Sequence, residues 1–311
     1  MKFRANAQIR SVAIQPDRFN MGRHFLLDAH VAWNDRDCSA RRCKNRPLGL
    51  REAVMKYTVD DIQKHYQSEA AKHSDKGTST IQDIRTRRLE MAAIFSYIRD
   101  GMKVLEVGCG NGFVAEELVR TFDVDLDAFD FSPELIELAK RRSIAGARGR
   151  VIFSLGDVLE LEAKDCYDLI FTERVLQNLT DWLAQQAGLV NIVRSLRPGG
   201  LFIMEECFWS GLNTLNAARA ELDIEPVPES WHNVFFHDDQ VLDFMPTIGA
   251  EFVEENRFLS GYYFGSRVLM PAIYPKGKKV ASISVLNDFF CSLPPAGNFS
   301  PMKIMVFRKR A

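Results

Sequence analysis

The chain has 311 residues, of which 46% are hydrophobic, and its 40 basic and 41 acidic residues leave a formal net charge of −1. This length suits one large domain or one domain with appendages, and the balanced charge gives no overall reason to expect a nucleic-acid or anionic-membrane partner. Because there is neither an apolar run of about 18 residues nor a secretory signal, we expect no membrane span and favour a cytoplasmic protein.

The six cysteines are scattered along the chain, a distribution that predicts free thiols. Cys38 and Cys43 are close enough to suggest a metal pair. No second Cys or His pair follows at ligand spacing, so we predict no metal. Free thiols are typical of a reducing compartment.

Residues 1–54 differ from the rest because they hold eleven Lys or Arg against five acidic residues and show no persistent periodic pattern. We favour a basic, poorly ordered extension, since acidic residues interrupt the positive charge. Two alternatives stay open. The segment is not translated in the cell, since Met55 precedes a well-formed start, or it is a basic targeting or nucleic-acid-binding arm. The remainder of the chain then carries a net charge of −7.

The next segment, 55–100, is predicted to contain two helices. Thr58 with Asp61, and Thr80 with Asp83, each resemble a capping box. Apolar residues recur at helical spacing after each pair. This part of the chain is therefore a helical lead into the first strand.

Strand and helix patterns alternate through residues 101–206, and they predict a parallel sheet covered by helices on both faces. Ser132 is expected to cap a helix that starts at Pro133. The predicted strands are 103–107, 126–131, 151–154, 167–171 and 201–204, and the predicted helices include 113–121 and a segment around 189–196.

Residues 207–311 are predicted to add a cap and the final strands of the same sheet. Segment 207–236 shows no clear strand, 238–248 has a helical pattern, and 251–263 and 302–308 have strand patterns. The aromatic, proline-bearing stretch 264–300 is expected to be a long loop. Such loops often cover a functional site.

A glycine-rich loop with the sequence Glu-Val-Gly-Cys-Gly-Asn-Gly follows the first predicted strand and opens a helix at Phe113. Glycines there let the backbone turn tightly and approach a ligand. The free N–H groups of the helix favour a carboxylate or phosphate. Many nucleotide-binding folds use such a loop, so the loop alone predicts a ligand cradle without identifying the ligand.

Acidic side chains stand at the end of the second predicted strand and just after the third. Asp130 is placed to accept hydrogen bonds from two ribose hydroxyls, and Asp157 from an adenine amino group, while Val158 offers its backbone N–H to the ring. Taken singly, each Asp is better explained as a helix cap or a turn residue. Together with the glycine loop they lie at the carboxyl ends of three successive strands, where an open parallel sheet binds its ligand.

In order and spacing, residues 103–206 resemble the core of the class I S-adenosylmethionine-dependent methyltransferases. The stretch 167–173 is similar to that family's fourth strand, which ends beside the reactive methyl group, and 196–200 is similar to the turn before its fifth. The resemblance implies a Rossmann-like α/β fold with a mostly parallel sheet, an antiparallel last strand and an acceptor-side cap, and it implies S-adenosylmethionine as cofactor. The cofactor-binding residues that it implies are Glu106, Gly108, Cys109, Gly110, Gly112, Asp130, Phe131, Asp157, Val158, Thr172 and Glu173.

The sequence identifies the catalytic group less clearly than the cofactor-binding residues. Thr-Glu-Arg-Val at 172–175 lacks the Asn- or Asp-Pro-Pro-aromatic motif of the family's nucleic-acid amine methyltransferases. A Gln-Asn pair stands at 177–178, where many small-molecule O-methyltransferases place a histidine. A hydroxyl acceptor needs a general base, and we predict His232 or Glu173, although Glu173 is equally a candidate to hold the cofactor's amino group. His237 is better explained as the start of the following helix.

Segment 209–236, with Tyr262, Tyr263, Arg267 and Asn287, is expected to form the acceptor pocket. Aromatic residues with a few polar groups suit a small or sugar-like acceptor. About half of these aromatics are expected to fill the core instead.

We therefore predict a methyltransferase of class EC 2.1.1.- that acts on a small molecule, at a hydroxyl oxygen of a sugar or secondary metabolite, with no nucleic-acid or membrane partner. The first alternative is an RNA or protein methyltransferase, which the acidic remainder of the chain disfavours. The second is a catalytically inactive S-adenosylmethionine-binding partner subunit. Both keep the same cofactor residues, and the sequence does not predict the oligomeric state.

Overall fold

The computed structural model describes residues 58, 61, 83–274 and 284–311. The expectations for the basic extension 1–54 and for Thr80 lie outside the described residues. The backbone N–H of Thr58 donates to Asp61 Oδ2 at 2.9 Å, and that of Asp61 donates to Thr58 Oγ1 at 3.3 Å. This reciprocal pair is the predicted capping box.

One seven-stranded sheet forms the centre of the structure. Its strands are β1 (Lys103–Val107), β2 (Asp125–Asp130), β3 (Arg150–Leu155), β4 (Tyr167–Glu173), β5 (Leu196–Cys207), β6 (Ala250–Asn256) and β7 (Met302–Lys309). They are ordered β3-β2-β1-β4-β5-β7-β6, with β1 to β5 mutually parallel and β7 antiparallel to both β5 and β6. The predicted fold class is confirmed, and the switch in strand order between β1 and β4 opens a crevice at the carboxyl edge.

Helices cover both faces of the sheet. They are α1 (Ile84–Phe95), α2 (Phe113–Thr121), α3 (Pro133–Lys140), α4 (Trp182–Ser195), α5 (Trp209–Ala220), α6 (Asp238–Phe244), α7 (Ser260–Tyr263), α8 (Met270–Ile273) and α9 (Val285–Cys291). Since side chains alternate along a strand, Val104 packs with α1, α2 and α3, and Leu105 packs with α4 and α6. Within the described part of the chain, no helix has both the length and the apolarity to cross a bilayer.

Local capping positions the helices around the site. The Ser132 hydroxyl accepts from the N–H of Leu135 at 3.3 Å with Pro133 in the first helical position, as the sequence predicts. Asp83 caps α1 itself, through the N–H of Arg85 at 3.1 Å. A capping box formed by Thr80 and Asp83 would place Asp83 in the first turn, so that prediction is wrong for Asp83.

The cap differs most from the sequence-based expectation. Helix α5 occupies 209–220, which carried no predicted element, and β6 ends at Asn256 rather than continuing to residue 263. The stretch 260–273 is helical, with a π-helix (Phe264–Leu269) between α7 and α8, so 264–300 is not one long loop. Leu259, Tyr262 and Met270 are all buried, at helical spacing, and together with Phe290 of α9 they form an apolar core beneath the cap.

Candidate cofactor and acceptor site

The carboxyl ends of β1, β2, β3 and β4 open into one cavity of about 480 Å³, a size usual for small-molecule sites. Most of the predicted cofactor residues line it: Glu106, Gly108, Cys109, Gly110, Asp130, Phe131, Asp157, Val158 and Glu173. The structure therefore brings together residues that lie up to 67 positions apart in the sequence.

The first two glycines of the loop shape the cavity wall. Gly108 has φ +75°, and a Cβ there would lie 2.4 Å from Cγ2 of Val175, so only glycine lets the loop pass the segment that follows β4. Gly110 has φ +54°, and a Cβ there would meet nothing within 4 Å. Because Gly110 lines the cavity, that open space is room for a ligand.

Gly112 and Thr172 do not line the cavity, contrary to the expectation for cofactor contacts. A Cβ on Gly112 would lie 2.9 Å from Ala139 and from the ring of Phe153, so this glycine permits close packing of α2 against α3 and β3. Thr172 is fully buried within β4. Both lie behind the site rather than in it.

Asp130 ties the end of β2 to the glycine loop. Its Oδ2 accepts from the N–H of Gly110 at 2.8 Å, and its Oδ1 accepts from the N–H of Ser132 at 2.9 Å. Burial raises the pKa of Asp130 to about 6, and the backbone N–H donors oppose that rise. A carboxylate offers about four acceptor positions, so Asp130 can still accept from a ligand hydroxyl.

Asp157 both caps a turn and lines the cavity. Its Oδ1 accepts from the N–H of Leu159 at 2.9 Å at the start of a short 3-10 helix (Val158–Glu160). The side chain is exposed at the cavity edge. The capping role and a ligand contact are compatible, because the cap uses one of the two oxygens.

Two buried carboxylate oxygens in the cavity wall have no hydrogen-bond partner among the described residues: Glu106 Oε2 and Glu173 Oε2. Glu106 is 3% exposed. Burial raises its pKa to about 8, opposed by the Arg87 guanidinium and reinforced by the charge of Asp130. Buried polar atoms are normally hydrogen-bonded, so each oxygen marks a place for a ligand donor.

An ion network joins α1 to the end of β4. Arg87 pairs with Glu173, and Arg174 pairs with Glu90 and, at 2.9 Å, with Glu173 Oε1. Burial, followed by the nearby charge of Arg174, lowers the pKa of Arg87 to about 10. Because two guanidinia hold Glu173, the geometry favours a positioning role for this carboxylate over that of a base.

Glu206 holds the segment that follows β4. Its carboxylate accepts from the N–H groups of Val175 at 3.1 Å, Leu176 at 2.9 Å and Gln177 at 3.1 Å. Burial raises its pKa to about 7, and those N–H groups oppose the rise. The segment begins with Arg174 in the left-handed region at φ +58°. No local sequence pattern indicates this role, because the partners lie about 30 residues apart.

The cap supplies the other end of the cavity. His232 lines it and is half-buried, with its ring 5.1 Å from that of Trp231. His237 occupies the N-cap position of α6, as expected for the start of that helix. The other cap residues in the lining are Leu212, Val227, Pro228, Ser230, Asn233, Phe235, Tyr263 and Arg267.

Tyr262 and Asn287 do not line the cavity, although both were expected in the acceptor pocket. Tyr262 is buried, and its hydroxyl donates to Asp83 Oδ2 at 2.7 Å. Asn287 lies in the first turn of α9. Tyr262 therefore supports the cap from behind, whereas its neighbour Tyr263 faces the cavity.

The surroundings of the two thiols that line the cavity make them unreactive. Cys109 and Cys207 are buried and free. Burial raises the pKa of both thiols well above the usual range, and neighbouring carboxylates add to the effect. The thiolate, which is the reactive form, is therefore suppressed at both positions.

The strand order, the glycine loop and the acids at the ends of β1 and β2 define a Rossmann-like class I methyltransferase. The model of a methyltransferase domain family matches residues 98–253, half of the chain, and the chain belongs to this family. It is an S-adenosylmethionine-dependent methyltransferase.

Curated relatives agree with this assignment. Malonyl-acyl-carrier-protein O-methyltransferase 2 of Ilyobacter polytropus is 29% identical over 197 residues, which cover 60% of this chain and 72% of that protein. The 27-O-demethylrifamycin SV methyltransferase of Amycolatopsis mediterranei is 31% identical over 159 residues, but these cover 50% of this chain and only 55% of the relative. Among solved structures, magnesium protoporphyrin IX methyltransferase of Synechocystis, with bound SAH, shares the fold at a TM-score of 0.53 and 14% identity, covering 81% of this chain and 97% of that one.

The residues present fit S-adenosylmethionine. The unpartnered oxygens of Glu106 and Glu173 suit a ligand with an ammonium and a sulfonium group. The ammonium donates charge-assisted hydrogen bonds to a buried carboxylate, and the sulfonium adds a positive charge that a carboxylate attracts. The space above Gly110 leaves room for the ligand beside Asp130, whose free acceptor positions suit ribose hydroxyls. All these groups share one cavity.

Proposed function

We propose that this protein methylates a hydroxyl oxygen of a small-molecule acceptor of the sugar or secondary-metabolite class. The observation that carries the proposal is the continuity of the cavity, which runs from the glycine loop to His232 and Tyr263 of the cap. Donor and acceptor would thus meet in one space that the cap shields. A volume of about 480 Å³ suits small molecules rather than a polymer.

The relatives support oxygen as the methylated atom and a small molecule as the acceptor. The Ilyobacter relative is named as an O-methyltransferase, and the Amycolatopsis relative as a methyltransferase of a rifamycin. This chain spans 55% of the latter's length. Both names concern those proteins, and they support the reaction type rather than a particular acceptor.

The cofactor contacts follow from the lining residues. Asp130 would hold the ribose hydroxyls, Asp157 and Val158 the adenine, and Glu106 the ammonium group of the methionine part. Phe131, Cys109 and the glycines would complete the cradle. When bound, S-adenosylmethionine supplies a methyl group on a sulfonium, which is displaced in line, so positioning carries much of the catalysis.

His232 is the base that the geometry favours for a hydroxyl acceptor. It lines the acceptor end of the cavity and is half-buried, and imidazole accepts protons near neutral pH. The alternative, Glu173, is already held by Arg87 and Arg174, so an acceptor proton would compete with two guanidinia. We assign Glu173 to positioning the end of β4 and to the cofactor's cationic groups.

The test is methyl transfer from S-adenosylmethionine labelled in the methyl group, with an extract of the source cell as the pool of acceptors. We expect label in a low-molecular-weight product whose methyl group is ether-linked, and no such product with the Asp130→Ala protein. Label in RNA or protein would contradict the proposal. Tight cofactor binding without any transfer would instead identify a catalytically inactive partner subunit.

A further inference from the structure

The charged side chains that line the cavity come from three places. Glu106, Asp130 and Asp157 lie at the ends of β1, β2 and β3 and complement a cationic cofactor. Arg87, Glu173 and Arg174 belong to the ion network at the end of β4. Arg267 is the charged side chain that the cap contributes to the lining.

Arg174 and Arg267 differ in their availability. Arg174 belongs to the network with Glu90 and Glu173, and its side chain is only 12% exposed. Arg267 is 36% exposed, and its one described side-chain hydrogen bond is to Asp83 Oδ2, at 3.3 Å. That oxygen also accepts from the Tyr262 hydroxyl at 2.7 Å. Since a guanidinium has five N–H donors, Arg267 retains donors for a ligand.

The π-helix fixes where Arg267 points. Its guanidinium lies over the ring of Tyr263, 5.2 Å from the centroid, and both residues line the cavity. A Cβ on Gly265 would lie 2.2 Å from the ring of Phe290, so the π-helix is packed directly on α9. Wide helical turns of this kind often lie at functional sites, where they orient a side chain. The Arg267 fork is therefore held in place before a ligand arrives.

Tyr263 supports Arg267 in the cap wall of the cavity. Burial raises the pKa of the half-buried Tyr263 phenol, so the ring stays neutral beneath the guanidinium. Both residues belong to the cap, whereas the proposed cofactor residues lie at the ends of β1 to β4. Arg267 therefore suits an anchor group of the acceptor rather than the methylated atom.

We infer that the acceptor carries a carboxylate and that Arg267 binds it, so that the hydroxyl at the other end of the molecule is presented for methylation. This inference rests on the proposed function, because it concerns the acceptor of that same reaction. The planar fork of Arg267 matches a carboxylate in geometry. A single negative charge also suits an arginine that is shared with Asp83 better than a doubly charged phosphate does.

The experiment measures binding of matched probes to the full chain saturated with S-adenosylhomocysteine. The probes are 4-hydroxybenzoate and its primary amide, which differ in charge but little in shape, and inorganic phosphate. We expect the carboxylate to bind about tenfold more tightly than the amide, since a hydrogen-bonded charge pair is worth this much in a shielded site. Phosphate is expected to bind more weakly than the carboxylate.

Three variants separate the role of Arg267 from a general loss of folding. Arg267→Gln should remove the preference for the carboxylate, and Arg267→Lys should retain part of it, because lysine keeps the charge but loses the fork. Arg257→Gln is the control, since Arg257 pairs with Glu255 outside this cavity and should keep the full preference. S-adenosylhomocysteine affinity should be equal in all of them.

The outcomes separate this inference from the function on which it rests. If S-adenosylhomocysteine binds but the protein does not prefer the carboxylate, or if Arg267→Gln keeps the preference, the inference is wrong and the proposed function stands. A preference for phosphate over the carboxylate also contradicts it. If S-adenosylhomocysteine itself does not bind, the proposed function fails first.

Discussion

The carboxylate of Asp130 accepts a hydrogen bond from the backbone N–H of Gly110 at 2.8 Å. This contact joins the end of β2 to the glycine loop that follows β1, so one side chain shapes the cradle and also faces the cavity. Cofactor binding and loop geometry should therefore respond together when Asp130 is changed.

Asp130→Asn should weaken binding of S-adenosylhomocysteine by at least about tenfold. The neutral amide loses charge-assisted hydrogen bonds, each worth roughly 1.5–3 kcal/mol, and its NH2 group would face one of the two backbone N–H donors of Gly110 and Ser132. Isothermal titration calorimetry measures the affinity. Asp125→Asn, at the exposed start of the same strand and paired with Arg150, is the control and should bind normally. Equal affinity of the two variants for S-adenosylhomocysteine would show that Asp130 does not bind the cofactor.

Cofactor affinity should rise with pH between about 6 and 8. The pKa of Glu106 is raised to about 8 by burial, opposed by Arg87 and reinforced by Asp130, so the ligand-free protein holds a proton there at pH 7. The ammonium group of the ligand favours the ionised carboxylate, and binding must release that proton. Each pH unit below 8 then costs up to about tenfold in affinity.

The proton release is measured by calorimetry at pH 7 in two buffers that differ in ionisation enthalpy. We expect about one proton per ligand for the natural protein and none for Glu106→Gln. Below pH 6 a further loss of affinity is expected in both proteins, because the pKa of Asp130 is raised to about 6 and its ionised form accepts the ribose hydroxyls. An affinity that does not change from pH 6 to pH 8 would contradict the role of Glu106.

Gly110→Ala should abolish cofactor binding while the protein stays folded. The alanine must keep φ +54°, a cost of about 1–2 kcal/mol, but its Cβ meets no protein atom within 4 Å and instead occupies the ligand's space. Gly146→Ala is the matched control, since Gly146 has φ +76°, equally open surroundings and no place in the cavity lining. Thermal denaturation should show a similar loss of stability for both variants. Calorimetry should show that only Gly110→Ala loses cofactor binding.

The elements around the cofactor were predictable because their signals are local. Ser132 and Pro133 lie side by side at the start of α3, and the glycine loop follows a short apolar strand directly. The alternation of strands and helices then determines which chain ends meet at the carboxyl edge. Most of the residues predicted for the cofactor do line the cavity, apart from Gly112 and Thr172, which pack behind it.

The acceptor side was less predictable because its contacts are long-range. Arg87 meets Glu173, 86 residues away, and Glu206 reaches back 30 residues to Leu176. No spacing rule relates such partners. Helix α5 has no side-chain cap at Phe208, so a start signal was missing.

His232→Ala should lower the rate of methyl transfer by about 10²- to 10⁴-fold, the usual contribution of a general base, and leave the affinity for S-adenosylhomocysteine within about twofold. The reason is that His232 belongs to the cap segment of the cavity lining, whereas the proposed cofactor contacts come from the glycine loop and the ends of β1 to β3. His237→Ala is the control, because His237 stacks on Trp209 with ring centroids 6.3 Å apart and does not line the cavity.

The rate is measured as label transferred to the product that the natural protein forms in the cell extract. His232→Gln distinguishes a base from a residue that only shapes the pocket, because glutamine keeps polarity and similar bulk but cannot accept the acceptor's proton. With S-adenosylmethionine at saturation, the glutamine variant should be as slow as the alanine variant. Full activity in either variant would exclude His232 as the base.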